Sequence, residues 1–280
     1  MNNSDRFTKQ IIRAALQEDL NKAGDLTTQA VIPESAQGTA VFIIRESGVL
    51  AGTHVVHTLF QMLGGADLGF SAVEGEKVEA GQNLGRISGS LRTILTGERT
   101  ALNFLQRLSG IATLTSRYVE AVFGTRAVIL DTRKTTPGMR SLEKAAVVSG
   151  GGRNHRHGLY DMILIKNNHI DAAGSVTEAV RRCVGGKRTL RDVPVEVETR
   201  TLKEVAEALE LPVQRIMLDN MDYPVLKAAV KMIGGRKEVE VSGNMTLRNV
   251  RKIAKTGVDF ISVGALTHSA PALDIALRIE

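Results

Sequence analysis

The sequence predicts an α/β chain in which an incomplete barrel follows a smaller N-terminal sheet domain, and three observations predict it. From about residue 127, short apolar runs alternate with amphipathic helical patterns, as in parallel strands covered by helices. The clear runs fall short of the eight strands of a complete α/β barrel. Ahead of them, strand-like segments joined by glycine turns surround one helical stretch, the pattern of a separate α+β sheet.

The opening MNNSDRFTKQIIRAALQEDL alternates charged and apolar residues at helical spacing and predicts a helix over 7–19. It lacks the apolar block and small-residue cleavage site of a signal peptide. No run of 18 or more apolar residues occurs, so no membrane span is expected and the protein is expected to be cytoplasmic. The sheet domain is built from GTAVFIIRESGVLAG, the helical HVVHTLFQML and FSAVEGEKVEAGQNLGRISGS. Part of the last segment resembles the half-motif of biotinyl and lipoyl carriers. A carrier presents its lysine at a hairpin tip, whereas Lys77 lies inside the strand-like part, so a structural sheet is expected instead. An apolar-periodic stretch over 93–123 leads into the barrel. The barrel strands are AVIL (127–130), MILI (162–165), PVEV (194–197), RIML (215–218), EVEV (238–241) and FISV (260–263). Helical patterns follow several of them, in SVTEAVRRCV, TLKEVAEALEL, YPVLKAAVKMI and TLRNVRKIA.

Composition narrows the partners. The 280 residues are 43 % hydrophobic, enough for a globular core. A single cysteine, Cys183, excludes a disulfide framework and a clustered cysteine metal site, and its helix-like context reads as a small buried residue. The net charge is +6 and the isoelectric point is near 9.5, which suits nucleic acid, a membrane surface or small anions. Aromatic residues make up only 4 %, tryptophan is absent and no basic tail exists, so stacking platforms for bases are scarce. Small anions fit best, with neither nucleic acid nor membrane expected.

One segment concentrates the charge. Between Asp131 and Ile170 fall Arg133, Lys134, Arg140, Lys144, Arg153, Arg156 and Lys166, with His155, His157 and His169, opposed only by Asp131, Glu143 and Asp161. Crowded like charges repel unless an anion is bound among them. The glycines at Gly150–Gly152 could be a plain connector, but the neighbouring cations favour an anion-binding role. The residues after each strand add a second signal. AVIL is followed by Asp131 and Arg133, MILI by Lys166, PVEV by Glu198, RIML by Asp219, EVEV by Ser242-Gly243, and FISV by Gly264. In barrels these strand ends form one rim, where active sites are built. The rim reads as cations for an organic acid and a pyrophosphate, two acids for Mg²⁺ and hydroxyls, and a backbone nest for a phosphate monoester.

The segment DTRKTTPGMRSLEKAAVVSGGGRNHRHGLYDMILIKNNHI resembles the signature of the quinolinate phosphoribosyltransferases. The likeness continues in EDLNKAGDLTT, GERTALNFLQRLSGIAT, VEVETRTL, IMLDNM and ISVGALTHSAPALDIAL. The resemblance implies an N-terminal open-faced α/β sandwich over 1–112, an incomplete seven-stranded α/β barrel over 113–265, and a segment, 266–280, returning to the sandwich. It implies a homodimer, or a hexamer of such dimers, that joins quinolinate to phosphoribosyl pyrophosphate with Mg²⁺, giving nicotinate mononucleotide, pyrophosphate and CO₂ in NAD biosynthesis. By the same resemblance Arg133, His155 and Arg156 hold the carboxylates of quinolinate, and Arg99 reaches the neighbouring subunit's site. Lys134 and Lys166 face the pyrophosphate and the reacting carboxylate, while Glu198 and Asp219 take the ribose hydroxyls and Mg²⁺. Ser242, Gly243, Asn244, Gly264 and Ala265 cradle the 5′-phosphate with His268 nearby. Many relatives carry glycine where this chain has Asn244. A related phosphoribosyltransferase with another acceptor, such as a molybdenum-transport-associated protein of this fold, is the nearest rival, and a nucleic-acid-binding protein is the rival from another class.

Overall fold

The six apolar runs of the second half become six strands of one parallel sheet in the computed structural model, which describes residues 3–185 and 193–280. These are β6 (Val128–Leu130), β7 (Ile163–Ile165), β8 (Val195–Thr199), β9 (Arg215–Asp219), β10 (Glu238–Ser242) and β11 (Phe260–Ser262). They lie in the order β6-β11-β10-β9-β8-β7. Valine, isoleucine and leucine fill most of the buried positions of these strands, as expected where helices cover a sheet, with Glu196, Thr199, Met217, Glu240 and Ser262 buried among them. The helices are α6 (Asn167–Ala173), α7 (Val176–Val184), α8 (Leu202–Leu209), α9 (Tyr223–Ile233) and α10 (Val250–Ala254). Ser175 caps α7 by accepting from the N–H of Glu178, and Thr201 caps α8 by accepting from that of Glu204, each satisfying an otherwise orphaned donor. Beyond β6, Arg153 adds a one-residue parallel bridge to Leu130. Cys183, on α7, is partly exposed and not fully buried as its context suggested.

This sheet belongs to one of two compact units, made of Arg117–Lys134 and Gly152–Ala265; the other comprises Met1–Ser116, Thr135–Gly151 and Leu266–Glu280. The sequence divides otherwise than an unbroken barrel from 113 to 265 would. Residues 135–151 join the first unit because the helix α5 (Arg140–Ser149) buries Leu142, Ala146 and Val147 there. Its Glu143, fully buried, accepts from Arg107 at 2.9 Å and from the Thr136 hydroxyl at 2.8 Å.

The first unit carries α1 (Asn3–Leu20), α2 (Leu26–Val31), α3 (Thr53–Met62) and most of α4 (Leu91–Val122). Its strands are β1 (Gln37–Ile44), β2 (Gly48–Val49), β3 (Asp67–Phe70), β4 (Lys77–Val78), β5 (Asn83–Ser90) and β12 (Ile275–Ile279). The antiparallel order is β12-β1-β5-β3, with β2 and β4 paired separately. A short helix, α11 (Ala265–His268), precedes the last strand. Lys77 sits within β4 and not at a hairpin tip. No described helix is long and apolar enough to cross a membrane.

Candidate active site

Alternate residues of a strand share a face, so Glu196 and Glu198 of β8 point the same way, as do Met217 and Asp219 of β9 and Glu240 and Ser242 of β10. The upper member of each pair borders a cavity of about 440 Å³. Thr132, Arg133 and Lys134, which follow β6, complete one wall together with His155 and Arg156. Lys166, immediately after β7, faces in from another side, and Leu164, Met217 and Ser262 form the floor. Of the residues expected from the sequence, Arg133, Lys134, His155, Arg156, Lys166, Glu198, Asp219 and Ser242 are thus gathered on one surface.

The expected cation cluster is thinner than the sequence suggested. Lys144 is 1 % exposed in the first unit, and Arg140 donates from Nε to the Thr135 hydroxyl at 3.1 Å. His169 accepts from the Lys166 backbone N–H at 2.9 Å, which fixes where β7 hands over to α6. The glycines at 150–152 close a helix instead of cradling an anion. Gly150 caps α5, and a Cβ there would overlap the Ala112 carbonyl, while Gly151 has φ +85. Close packing and a left-handed turn account for both.

The electrostatics separate into two poles. Burial lowers the pKa of Arg156, and the positive charge of Arg133 lowers it further. Burial raises that of Glu198, followed by the negative charge of Asp219, against a smaller favourable effect of Lys166. Each pole therefore holds like charges close enough to repel, the condition an oppositely charged ligand relieves.

His155 stands apart from the other cations. Its Nε2 lies 3.0 Å from Glu196 Oε2 and 3.4 Å from Glu240 Oε1, and its Nδ1 accepts from the backbone N–H of Arg156 at 2.7 Å. Burial opposes its protonation, but hydrogen bonds and negative charge from Glu196 and Glu240 prevail and raise its pKa to about 9. The Arg156 N–H pulls the other way, since an imidazolium has no lone pair at Nδ1. The hydrogen bonds as placed fit the neutral ring, with its proton on Nε2 toward the carboxylates and its lone pair on Nδ1 toward the Arg156 N–H. His155 lines the cavity beside Arg156, and protein groups engage both its ring nitrogens.

Glu196 and Glu240, both 0 % exposed, were missed in the sequence, where they read as strand interior. The signal was present: a glutamate two residues before a rim residue, in PVEVE and EVEVS, is out of place in a buried parallel strand. With His155 they form a group close enough to share a metal. Arg215 and Ser262, however, already donate to the two oxygens of Glu240.

The residues expected to cradle a phosphate lie partly next door. Gly243 and Asn244 line a neighbouring cavity of about 270 Å³ with Asn220 and Lys252. Gly264 and Ala265 follow β11. His268 lies in the first unit, exposed, with Nδ1 2.6 Å from the Ser269 hydroxyl. Arg99, exposed on α4, borders a separate cavity of the first unit, about 220 Å³, with Glu18, Asp19 and Arg107.

Comparison with known proteins decides what this arrangement belongs to. Residues 25–109 match the quinolinate phosphoribosyl transferase N-terminal domain, and residues 111–278 match the C-terminal domain. The chain belongs to the quinolinate phosphoribosyltransferase family. It is 45 % identical over 97 % of its length to the chloroplastic nicotinate-nucleotide pyrophosphorylase [carboxylating] of Arabidopsis thaliana, covering 82 % of that protein. The structure of NadC from Streptococcus pyogenes superposes with a TM-score of 0.94 at 37 % identity, covering 100 % of this chain and 99 % of that one. Nicotinate-nucleotide pyrophosphorylase from Francisella tularensis does so with a TM-score of 0.94 at 38 % identity, with 100 % and 98 % covered.

Asn244, the departure from the quinolinate phosphoribosyltransferase pattern, has φ +50, a left-handed angle that asparagine tolerates. Its Nδ2 donates to Asn220 Oδ1 at 3.2 Å, and its carbonyl accepts from Asn249 Nδ2 at 3.0 Å. The preceding Gly243 has φ +99, and a Cβ there would overlap the Asn220 side chain. Gly243→Ala is therefore expected to destabilise the protein by about 1–3 kcal/mol, read as a lower Tm, and to raise the KM for the phosphorylated substrate. Asn244→Gly should keep both near wild type.

Proposed function

We propose that this chain transfers the phosphoribosyl group of phosphoribosyl pyrophosphate to quinolinate with loss of CO₂, a step of NAD biosynthesis. The observation that carries the reading is the division of charge within one cavity: Arg133, Lys134, Arg156 and Lys166 face Glu198 and Asp219 across it. A dicarboxylate and a pyrophosphate need the first set, and ribose hydroxyls need the second.

Arg133 and Arg156 bind the two carboxylates of the acceptor, since planar guanidinium forks hold a carboxylate in one orientation. So held, the pyridine nitrogen faces the anomeric carbon of the donor. The nitrogen forms its bond there as the bond to pyrophosphate breaks, and Lys134 and Lys166 stabilise the charge that develops on the departing group. The carboxylate next to the ring nitrogen then departs as CO₂, the positive charge of the pyridinium stabilises the electron pair left on that ring carbon, and a proton from solvent takes its place there. Glu198 and Asp219 orient the ribose hydroxyls, and backbone groups at Ser242, Gly243, Asn244, Gly264 and Ala265 receive the 5′-phosphate. Mg²⁺ suits the Glu198 and Asp219 pair, two hard oxygen donors of which the second raises the proton affinity of the first. When bound it supplies charge neutralisation for the pyrophosphate.

The barrel has seven strands in this reading. Arg153, bridged to Leu130, supplies the seventh, one residue long. The working assembly is a homodimer in which Arg99 enters the neighbouring subunit's site.

Quinolinate is expected to be used and nicotinate to be refused. Losing one carboxylate leaves a guanidinium unpaired in the cavity, which costs on the order of 2–5 kcal/mol, at least a thirtyfold loss of kcat/KM. Product formation from each acid with phosphoribosyl pyrophosphate tests this, and comparable turnover on nicotinate overturns it.

A further inference from the structure

Below the cavity floor the barrel interior holds a buried chain of charge. Arg215, whose guanidinium stacks 3.9 Å from the centre of the Phe260 ring, donates to Glu240 Oε2 at 2.9 Å. Glu240 Oε1 accepts from the Ser262 hydroxyl. Glu240 is thus satisfied by groups beneath and beside it. Glu196 is not. Its Oε2 meets His155 Nε2, and its Oε1 is buried with no hydrogen-bond partner among the described residues. Burying a carboxylate for a single hydrogen bond destabilises a fold relative to an apolar residue of the same size. The charge of Arg215 offsets part of that cost, and the one hydrogen-bond partner of Glu196 among the described residues is His155.

That partner is held at three points. The backbone N–H of His155 donates to Asp131 Oδ1 at 2.9 Å, Nε2 faces Glu196, and Nδ1 accepts from the N–H of Arg156. Asp131, fully buried directly after β6, also donates its own N–H to the Arg153 carbonyl at 3.2 Å. The ring is therefore a bracket between the barrel core and the backbone of Arg156. It does not offer a nitrogen to the cavity. The Arg156 side chain is tied once more, donating from Nη1 to the Met162 carbonyl at 3.2 Å.

We propose that Glu196 is a positioning residue: by accepting from His155 Nε2 it turns Nδ1 toward the Arg156 N–H, and so fixes the backbone from which that guanidinium reaches the acceptor's carboxylate. The inference rests on the acceptor reading given under Proposed function. Its effect falls first on the dicarboxylate, because the hydrogen bonds of Glu196 lead to His155 and Arg156 of the acceptor's set and not to Lys134, Lys166 or Asp219 of the donor's, although Glu198 shares β8 with it. Ring orientation is what matters here, so a neutral acceptor at position 196 can serve as well as a charged one.

Two substitutions separate position from charge and from packing. Glu196→Met fills the same volume without a hydrogen-bond acceptor and removes a buried charge, so the protein should fold with an unchanged or higher Tm. It is expected to raise the KM for quinolinate at least about tenfold, with the KM for phosphoribosyl pyrophosphate within about twofold of wild type. Glu196→Gln can still accept from Nε2 through its amide oxygen and is expected to bring the quinolinate KM back to within about threefold. Calorimetric titration of each protein with quinolinate alone should show the same order of affinities. An unchanged quinolinate KM in Glu196→Met, an equal rise in both KM values, or a glutamine variant as impaired as methionine would each overturn the proposal. A wild-type protein that makes no product from quinolinate would instead overturn the functional reading, and the titration still reports on the acceptor pocket in that case.

Discussion

Glu198→Ala and Lys166→Ala are each expected to lower turnover by about a hundredfold or more while the protein stays folded. Both side chains border the cavity and neither is part of the apolar core, so their loss removes charge from the site and little from stability. Lys166 places a cation at the strand end after β7, where the proposed reaction has its leaving group gather negative charge. Glu198 supplies the opposite pole. Its proton affinity is raised by burial and by Asp219. If ionised Glu198 is required, activity falls as pH drops through a value above the usual carboxylate range. Circular dichroism and thermal melting establish that the variants fold. Near-normal turnover in a folded variant removes that residue from the mechanism.

Mixing two dead proteins should restore about a quarter of wild-type activity. The pair is Arg99→Ala and Glu198→Ala, with subunits allowed to exchange. In a mixed dimer one site joins the intact cavity of the first variant to the intact Arg99 of the second, and the other site carries both lesions. Random exchange makes half the dimers mixed, each with one sound site of two, which gives the quarter. A tagged subunit confirms exchange. A mixture as inactive as its parents would place Arg99 in the service of its own chain.

Much of this site was legible because a strand end is a local event. A run such as RIML is short, apolar and followed by a polar residue, and Asp219 is the last residue of β9 just as Ser242 is of β10. What the sequence hid depends on the path of the chain. Lys144 reads as one more cation beside Arg140, yet it points into the first unit's interior, because α5 is amphipathic and buries that face. Arg153 gives no periodicity, being a bridge of one residue. Glu196 and Glu240 were obscured because PVEV and EVEV were read as apolar runs, with no role given to the glutamate inside each. Such a pattern exposes one face of an antiparallel sheet to water, but inside a barrel the same face turns inward.

Strand β12 pairs with β1 from Ala40 to Ile44, in register with Ile279 to Ile275. During synthesis the ribosome therefore releases β1 more than two hundred residues before its edge partner exists. For that interval Val41, Phe42 and Ile44, buried in the finished protein, belong to a sheet with an unpaired border, the kind of surface that recruits foreign strands. Chaperone dependence and sensitivity to a shortened C-terminus should appear in the N-terminal half of the polypeptide, far in sequence from the cause.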